Sequence, residues 1–79
     1  MSEEEFVEVI RGAVRRVDLS LEVERLEMES SLEDFGITSV TMMEVVGVLE
    51  DDLGLRFADD DLVVLRTPRD LFALIHGAS

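Results

Sequence analysis

The sequence predicts an all-α protein, a small antiparallel bundle of three main helices and one short helix with a long loop between the first two. Apolar residues recur at three- and four-residue intervals in three segments, and capping residues bracket these segments. No window alternates apolar and polar residues in the way a strand does. The 79 residues are predicted to form one domain, residues 1–79, which buries about 60% of its unfolded surface and encloses no substantial active-site cavity.

The first helix is predicted from Glu3 to Val17, where the apolar spacing defines one buried face. Ser2 is a suitable N-cap, and the acidic residues that follow it suit the positive end of the helix dipole. The second helix is predicted from Val40 to Gly54, with Gly54 as its C-terminal cap. Its apolar stripe consists of Met42, Met43, Val45, Val46, Leu49 and Leu53.

The segment from Asp18 to Thr38 is long for a linker in a compact domain, so we expect its own apolar side chains to hold it in place. These side chains are Leu19, Leu21, Leu26, Met28, Leu32 and Phe35. The run from Ser31 to Asp34 predicts a short helical turn, and Gly36 closes it.

Two further helices are predicted in the C-terminal third. Three consecutive acids, Asp59 to Asp61, begin a short helix. Thr67 and Pro68 form the start of the last helix, as cap and first helical residue, and Gly77 ends it.

Charge and composition exclude several classes of function. Nineteen acids oppose seven bases, for a net charge of −12, so the field repels nucleic acid and instead attracts enzymes with basic docking surfaces. The same charge is also compatible with a simple role in solubility. There are no cysteines, the longest apolar run has five residues, and the N-terminus is acidic rather than basic. We therefore expect no disulfide, no membrane association and a cytoplasmic, monomeric protein.

The sequence contains few side chains that could act in catalysis or bind a metal ion. The only histidine, His76, lies three residues from the C-terminus, and no Gly-x-Ser-x-Gly motif surrounds Ser39. We expect His76 to be an exposed residue of the last helical turn. The acids Asp59 to Asp61 lack the spacing and the central glycine of a calcium loop. The sequence therefore predicts a protein that is not an enzyme and that holds no dedicated metal ion.

The most informative residue is Ser39, which lies where the loop ends and the second helix begins. A helix N-terminus has unpaired N–H groups and a positive dipole end, so a phosphodiester attached there would be stabilised. Thr38 can cap the helix and leave the Ser39 hydroxyl free. The alternative is that Ser39 is itself part of the cap, and on these residues alone that alternative is favoured because serine is common at helix starts.

The run Gly36-Ile37-Thr38-Ser39-Val40 resembles the signature of the acyl carrier protein family, which carries phosphopantetheine. The resemblance extends over nearly the whole chain, through the acidic first helix, the Ser-Leu-Glu-Asp-Phe-Gly approach, the acidic second helix and the Thr-Pro start of the last one. Thr38 stands where the family usually has aspartate, and Thr41 and Gly47 also differ from the common fatty-acid form. These departures point to a specialised carrier, such as a discrete polyketide one.

The resemblance implies a function and a set of sites. A phosphopantetheinyl transferase that uses magnesium would attach 4′-phosphopantetheine from coenzyme A to Ser39, and the arm would carry acyl thioesters for fatty acid or polyketide synthesis. A ketosynthase, an acyltransferase or another synthase enzyme would dock through its basic surface. The implied partner-binding residues are Val40, Glu44, Gly47, Glu50 and Asp51. Starting at Met1 and ending shortly after the last helix, the chain is expected to be free-standing.

Two alternatives remain open at the level of sequence. A peptidyl or aryl carrier shares the modified serine but is loaded by an adenylation enzyme. An unmodified acidic helical adaptor would only bind partners.

Helical spacing is expected to expose Glu44, Glu50 and Asp51, with Glu44 one turn beyond Val40 and the other two acids on a neighbouring strip. Gly47 either allows close approach of a helix or partner or is a tolerated substitution.

Overall fold

The computed structural model describes residues 1–77 and confirms the all-helical bundle. Helix α1 spans Glu3–Val17, α2 spans Ser39–Leu53, α3 spans Asp59–Leu62 and α4 spans Pro68–Gly77. A 3₁₀ turn occupies Glu33–Phe35 in the long loop. Residues 1–77 contain no strand, and none of their helices has the length and apolarity needed to cross a membrane.

Capping interactions explain where α1 and α4 begin. The Ser2 hydroxyl accepts the Glu5 N–H, and the Glu5 carboxylate accepts the Ser2 N–H, both at 3.2 Å. At α4, the Thr67 hydroxyl accepts the Asp70 N–H at 3.3 Å while the Asp70 carboxylate accepts the N–H of Thr67 at 3.2 Å. Each pair satisfies donors that a helix start otherwise leaves unpaired. The predicted starts of both helices are therefore confirmed.

The core is formed where α1 packs against α2 and α4. Its largest fully buried side chains include Phe6 and Ile10 of α1, Leu49 of α2 and Leu71 of α4. Phe72 of α4 adds an edge-to-face contact to Phe6, with ring centroids 5.2 Å apart.

The long loop is held partly by the side chains that the sequence indicates. Leu26, Met28 and Leu32 are buried, and Leu21 and Phe35 are half-buried against the core. The prediction for Leu19 is wrong, because this side chain is 87% exposed. Two residues that the sequence analysis did not single out, Val23 and Ile37, are buried in its place.

Backbone hydrogen bonds fasten the same loop to the C-terminal third. The Leu32 N–H donates to the Arg66 carbonyl, and the Arg69 N–H donates to the Met28 carbonyl, both at 2.9 Å. The Arg69 guanidinium also pairs with Glu3 of α1 and Glu29 of the loop. These pairs hold the pKa of Glu3 below its usual value and raise that of Arg69. One arginine thus joins α1, the loop and α4.

Candidate functional site

Ser39 is the first residue of α2, and its position is set by the rigid turn that precedes it. Gly36 has a left-handed backbone, φ +80°, and its N–H donates to the Glu33 carbonyl at 3.0 Å. A side chain at Gly36 would be strained by this φ and would also meet the Leu21 Cδ2 at 3.1 Å. Ile37 follows as a buried anchor, and its N–H donates to the Leu32 carbonyl at 3.1 Å. The turn therefore presents the next two residues at the surface.

Thr38 is the N-cap of α2. Its backbone is extended, and its hydroxyl accepts the Thr41 N–H at 3.3 Å. The hydroxyls of Thr38 and Thr41 also lie within hydrogen-bond distance of each other, at 3.2 Å. The Ser39 side chain is exposed, and its hydroxyl makes no hydrogen bond to any of residues 1–77. The capping work is thus done by Thr38, and Ser39 is left available.

The electrostatic surroundings of Ser39 differ from those of the rest of this acidic chain. The first turn of α2 contains no acidic residue. From Phe35 to Met43 the sequence has no charged side chain at all. No carboxylate of the α2 first turn itself therefore opposes the positive end of the α2 dipole, which favours an anion at this point.

Ser39 lies at the edge of an open groove of about 860 Å³, which we call the Ser39 groove. Its lining combines apolar side chains from the loop, α2 and the α3 region with a few polar groups. The lining residues are Ser31, Leu32, Glu33, Ile37, Thr38, Ser39, Met42, Met43, Asp59, Leu62, Val63, Leu65 and Arg66. Of the two adjacent methionines, Met42 is buried and Met43 is 53% exposed, so the second is free to contact a guest or a partner.

The exposed face of α2 carries four of the five residues that the resemblance implies for partner binding. Val40 is 70% exposed, Glu44 and Asp51 are exposed, and Gly47 is half-buried. The expectation that Asp51 lies on a neighbouring strip is wrong. Eleven residues separate it from Val40, which is close to three full turns, so both lie on one stripe with Glu44 and Gly47.

Glu50 is the fifth of these residues, and the prediction that it is exposed like the other two acids is wrong. Its side chain is half-buried, and its carboxylate accepts the Phe57 N–H at 2.9 Å. This hydrogen bond connects α2 to the segment that follows Gly54. Gly54 itself has a left-handed backbone, with φ +66°. The Glu50 carboxylate therefore stabilises the fold of the protein through an internal hydrogen bond.

The described residues contain no arrangement for nucleophilic catalysis at Ser39. His76 is exposed on α4, where its Nδ1 lies 3.1 Å from the Phe72 carbonyl and its ring lies 4.0 Å from the Phe72 ring. This confirms the predicted position of His76. No histidine lines the Ser39 groove. Residues 1–77 also contain no group of three or more His, Cys, Asp or Glu side chains suited to a metal ion.

Comparison with known proteins decides the family. Residues 8–75 match the phosphopantetheine attachment site family. The chain belongs to the acyl carrier protein family. Its cofactor is 4′-phosphopantetheine, which members carry covalently, and its function is that of an acyl carrier. Family members are generally non-catalytic and interact with phosphopantetheinyl transferases and synthase enzymes.

The similar proteins come from two kinds of pathway. The chain is 36% identical over 62 residues to the granaticin polyketide synthase acyl carrier protein of Streptomyces violaceoruber, a match that covers 78% of this chain and 68% of that protein. It is 32% identical over 71 residues to the meromycolate extension acyl carrier proteins of Mycolicibacterium aurum and Mycolicibacterium smegmatis, covering 86% of this chain and 73% and 72% of theirs. No solved structure matches significantly.

Proposed function

We propose that Ser39 carries the phosphopantetheine arm and that the protein holds intermediates of polyketide or fatty-acid-type assembly on it. When bound, the arm supplies a terminal thiol on which acyl groups are held as thioesters. The observation that carries the proposal is the exposed, unengaged Ser39 hydroxyl at the start of α2, beside a separate N-cap at Thr38. A transferase can reach this oxygen without removing a hydrogen bond on which the helix depends.

The residues around Ser39 fit an attached phosphodiester. The positive end of α2 favours its negative charge, and the uncharged run from Phe35 to Met43 places no carboxylate beside it in the sequence. Thr38 replaces the family's usual aspartate without loss of the cap, because threonine and aspartate both serve as N-caps. The substitution thus keeps the helix start and removes one negative charge next to the modified oxygen.

The Ser39 groove favours an oxygenated chain over a plain alkyl chain as cargo. Leu32, Met42 and Leu62 supply apolar contacts, while Ser31 and Arg66 supply hydrogen-bond donors at the same surface. The carbonyl groups of a polyketide intermediate can accept hydrogen bonds from these donors, an interaction that a plain alkyl chain cannot make. This supports polyketide assembly as the pathway, as does the similarity to the acyl carrier protein of the Streptomyces granaticin polyketide synthase.

We further propose that the protein contributes no catalytic group and acts only as a substrate of other enzymes. Its docking surface is the stripe formed by Val40, Glu44, Gly47 and Asp51, which we call the α2 stripe. Exposed acids on such a stripe act mainly on the rate of encounter with basic enzyme surfaces. Glu50 is excluded from the stripe because its carboxylate is bound to Phe57.

The experiment that tests the proposal locates the arm and then identifies what loads it. The protein is incubated with coenzyme A, magnesium and a broad-specificity phosphopantetheinyl transferase, digested, and sequenced by mass spectrometry. The modified peptide is expected to place the arm on Ser39. An arm on any other serine would contradict the assignment of the attachment site to Ser39. Absence of any arm would favour the alternative of an unmodified acidic adaptor.

The loaded form distinguishes the two carrier classes. We expect the modified protein to gain a malonyl group from malonyl-coenzyme A and an acyltransferase. Loading only by an adenylation enzyme with an amino or aryl acid would instead identify a peptidyl or aryl carrier. NMR then compares the protein loaded with malonyl thioester and the protein loaded with long alkyl thioesters. We expect an oxygenated chain to change the chemical shifts of groove residues at a shorter chain length than a plain alkyl chain requires.

A further inference from the structure

Arg66 is the only basic residue among those that line the Ser39 groove. Its side chain is exposed and forms no ion pair within residues 1–77. Glu33 and Asp59 also line the groove, but neither carboxylate lies within ion-pair distance of Arg66. The Arg66 guanidinium therefore has no carboxylate partner in the described chain, although the protein has nineteen acidic residues.

The backbone of Arg66 is held from two sides. Its N–H donates to the Asp70 carboxylate at 3.0 Å, and its carbonyl accepts the Leu32 N–H at 2.9 Å. The Leu32 carbonyl in turn accepts the Ile37 N–H at 3.1 Å, and Ile37 precedes Ser39 by two residues. Leu32 thus connects the backbone of Arg66 to the turn that presents Ser39.

The walls of the Ser39 groove are mainly apolar. Leu32, Ile37 and Met42 are buried, and Leu62 and Leu65 are half-buried. Apolar walls lower the local dielectric, so the attraction between a guanidinium and an anion in the groove is stronger than in water. The groove therefore combines one cation that has no partner in the described chain with surroundings that favour its pairing.

The chemistry of this cation favours a carboxylate as its ligand. A guanidinium presents parallel N–H donors that pair with both oxygens of a carboxylate. An acetyl group or a plain alkyl chain carries no negative charge for it to bind. The net charge of −12 repels an anionic acyl group from the rest of the surface. Arg66 is thus the one groove residue that could offset this repulsion.

The phosphodiester of the arm is the other anion that modification would bring to the groove. It would be bonded to Ser39 itself, at the N-terminus of α2, where the helix N–H groups and dipole already favour it. A carboxylate at the far end of the arm has no such support from α2. We therefore assign Arg66 to the carboxylate.

We propose that Arg66 is a specificity-determining residue for the cargo and that it binds the terminal carboxylate of a malonyl-type acyl group held on the arm. This inference rests on the proposed function, since it assumes an arm at Ser39. It adds to that function a preference of the groove for acyl groups that end in a carboxylate over neutral acyl groups of similar size.

The test compares arms that differ only in their terminal group. A broad-specificity phosphopantetheinyl transferase transfers a bare, an acetyl-bearing or a malonyl-bearing arm from the corresponding coenzyme A derivative. NMR at about pH 7, where the malonyl carboxylate is ionised, records the Nε–H signal of Arg66 and the amide signals of Leu32 and Leu62. Relative to the bare arm, malonyl is expected to shift these signals about fivefold more than acetyl, as for an ion pair at the upper end of the usual surface range.

Two substitutions of Arg66 separate charge from geometry. Arg66→Gln removes the charge and is expected to reduce the effect of malonyl on the amide signals to that of acetyl. Arg66→Lys keeps the charge but loses the paired donors, so an intermediate malonyl effect is expected. The Arg66 side chain is exposed, so both variants are expected to fold, and circular dichroism checks this.

Arg56 provides a matched control. It is exposed, forms no ion pair within residues 1–77 and is not among the residues that line the Ser39 groove. Arg56→Gln changes the net charge by the same amount as Arg66→Gln and is expected to leave the malonyl effect unchanged. Loss of the malonyl effect in Arg56→Gln would show that overall charge, rather than Arg66, is responsible, and would overturn the inference.

The remaining outcomes are distinct from one another. Equal shift changes for malonyl and acetyl in the wild type would overturn the inference. A change that is the same for all three arms and disappears in Arg66→Gln would identify the phosphodiester as the bound anion and would also overturn it. At about 0.5 M salt the malonyl effect is expected to weaken, and an effect insensitive to salt would contradict an ion pair. Failure of the wild type to gain any arm would instead contradict the proposed function.

Discussion

The hydroxyl of Thr38 accepts a hydrogen bond from the backbone N–H of Thr41 at 3.3 Å. This contact assigns the capping of α2 to Thr38 and leaves the adjacent Ser39 hydroxyl exposed. Two neighbouring hydroxyls thus have different roles, one in the stability of the helix and one in its proposed modification. The two roles can be separated by mutation.

Replacement of Thr38 by alanine is expected to lower the free energy of unfolding by about 1 kcal/mol, because the cap of α2 is lost. Thr38→Asp restores a capping oxygen and is expected to remain within about 0.5 kcal/mol of the wild type. Urea denaturation followed by circular dichroism measures both. Equal stability of the alanine variant and the wild type would show that another group caps α2.

Replacement of Glu50 by alanine is expected to lower the free energy of unfolding by about 1.5 kcal/mol, because the Phe57 N–H loses a charged acceptor. The neighbouring Asp51 is exposed and without an ion pair in the described chain, so Asp51→Ala is expected to change stability by less than about 0.5 kcal/mol. Chemical denaturation of the two variants provides the comparison. A larger loss for Asp51→Ala would contradict the assignment of Glu50 to the fold.

Acid is expected to remove the contribution of the Glu3 to Arg69 pair. Hydrogen bonding to Arg69 lowers the pKa of Glu3 from its reference value of 4.5 in the folded state. A lowered pKa in the folded state stabilises the protein above the reference value, and this stabilisation is lost as the pH falls through the folded-state pKa. The melting temperature of Glu3→Gln should therefore lie below that of the wild type at pH 7 and converge with it as the pH falls through the lowered folded-state pKa of Glu3.

Glu4 is a control for this pH dependence, because it is exposed and makes no ion pair within residues 1–77. Glu4→Gln is expected to show no comparable difference at pH 7. A gap between Glu3→Gln and the wild type that persists unchanged at low pH would indicate an effect other than ion pairing.

Added salt is expected to raise the melting temperature. A net charge of −12 on 79 residues repels itself, and acids are clustered at Glu50 to Asp52 and Asp59 to Asp61. The screening length falls from about 30 Å at 0.01 M to about 10 Å at 0.1 M salt, which weakens this repulsion. The four ion pairs found within residues 1–77 weaken as well, but pairs near the surface each contribute little. Calorimetry across this range should show a rise, and a flat or falling response would contradict dominant self-repulsion.

The helices could be predicted from sequence because their signals are local. The bounds of α1 follow from the Ser2 and Glu5 capping box and from a regular apolar face. The start of α2 at Ser39, one residue before the predicted Val40, follows from the Thr38 cap. Gly54 ends α2 as predicted, because its left-handed backbone suits glycine.

The loop and parts of the site could not be predicted, because they depend on contacts between distant residues. Burial of Val23 and exposure of Leu19 depend on the path of a loop that is hydrogen-bonded at Leu32 and Met28 to residues more than thirty positions away. The half-buried position of Glu50 depends on a backbone N–H beyond the Gly54 turn. The open space at Gly47 is likewise visible only once α1 and the segment after α2 are in place.

The central claim is that Ser39 alone carries the arm, and intact-mass spectrometry of two proteins tests it most directly. Wild type and Ser39→Ala are each incubated with coenzyme A, magnesium and the transferase, after denaturation curves have shown that their stabilities agree within about 1 kcal/mol. The wild type is expected to gain the mass of one phosphopantetheine arm and Ser39→Ala to gain none. Addition of an arm to Ser39→Ala, or of more than one arm to the wild type, would contradict the account.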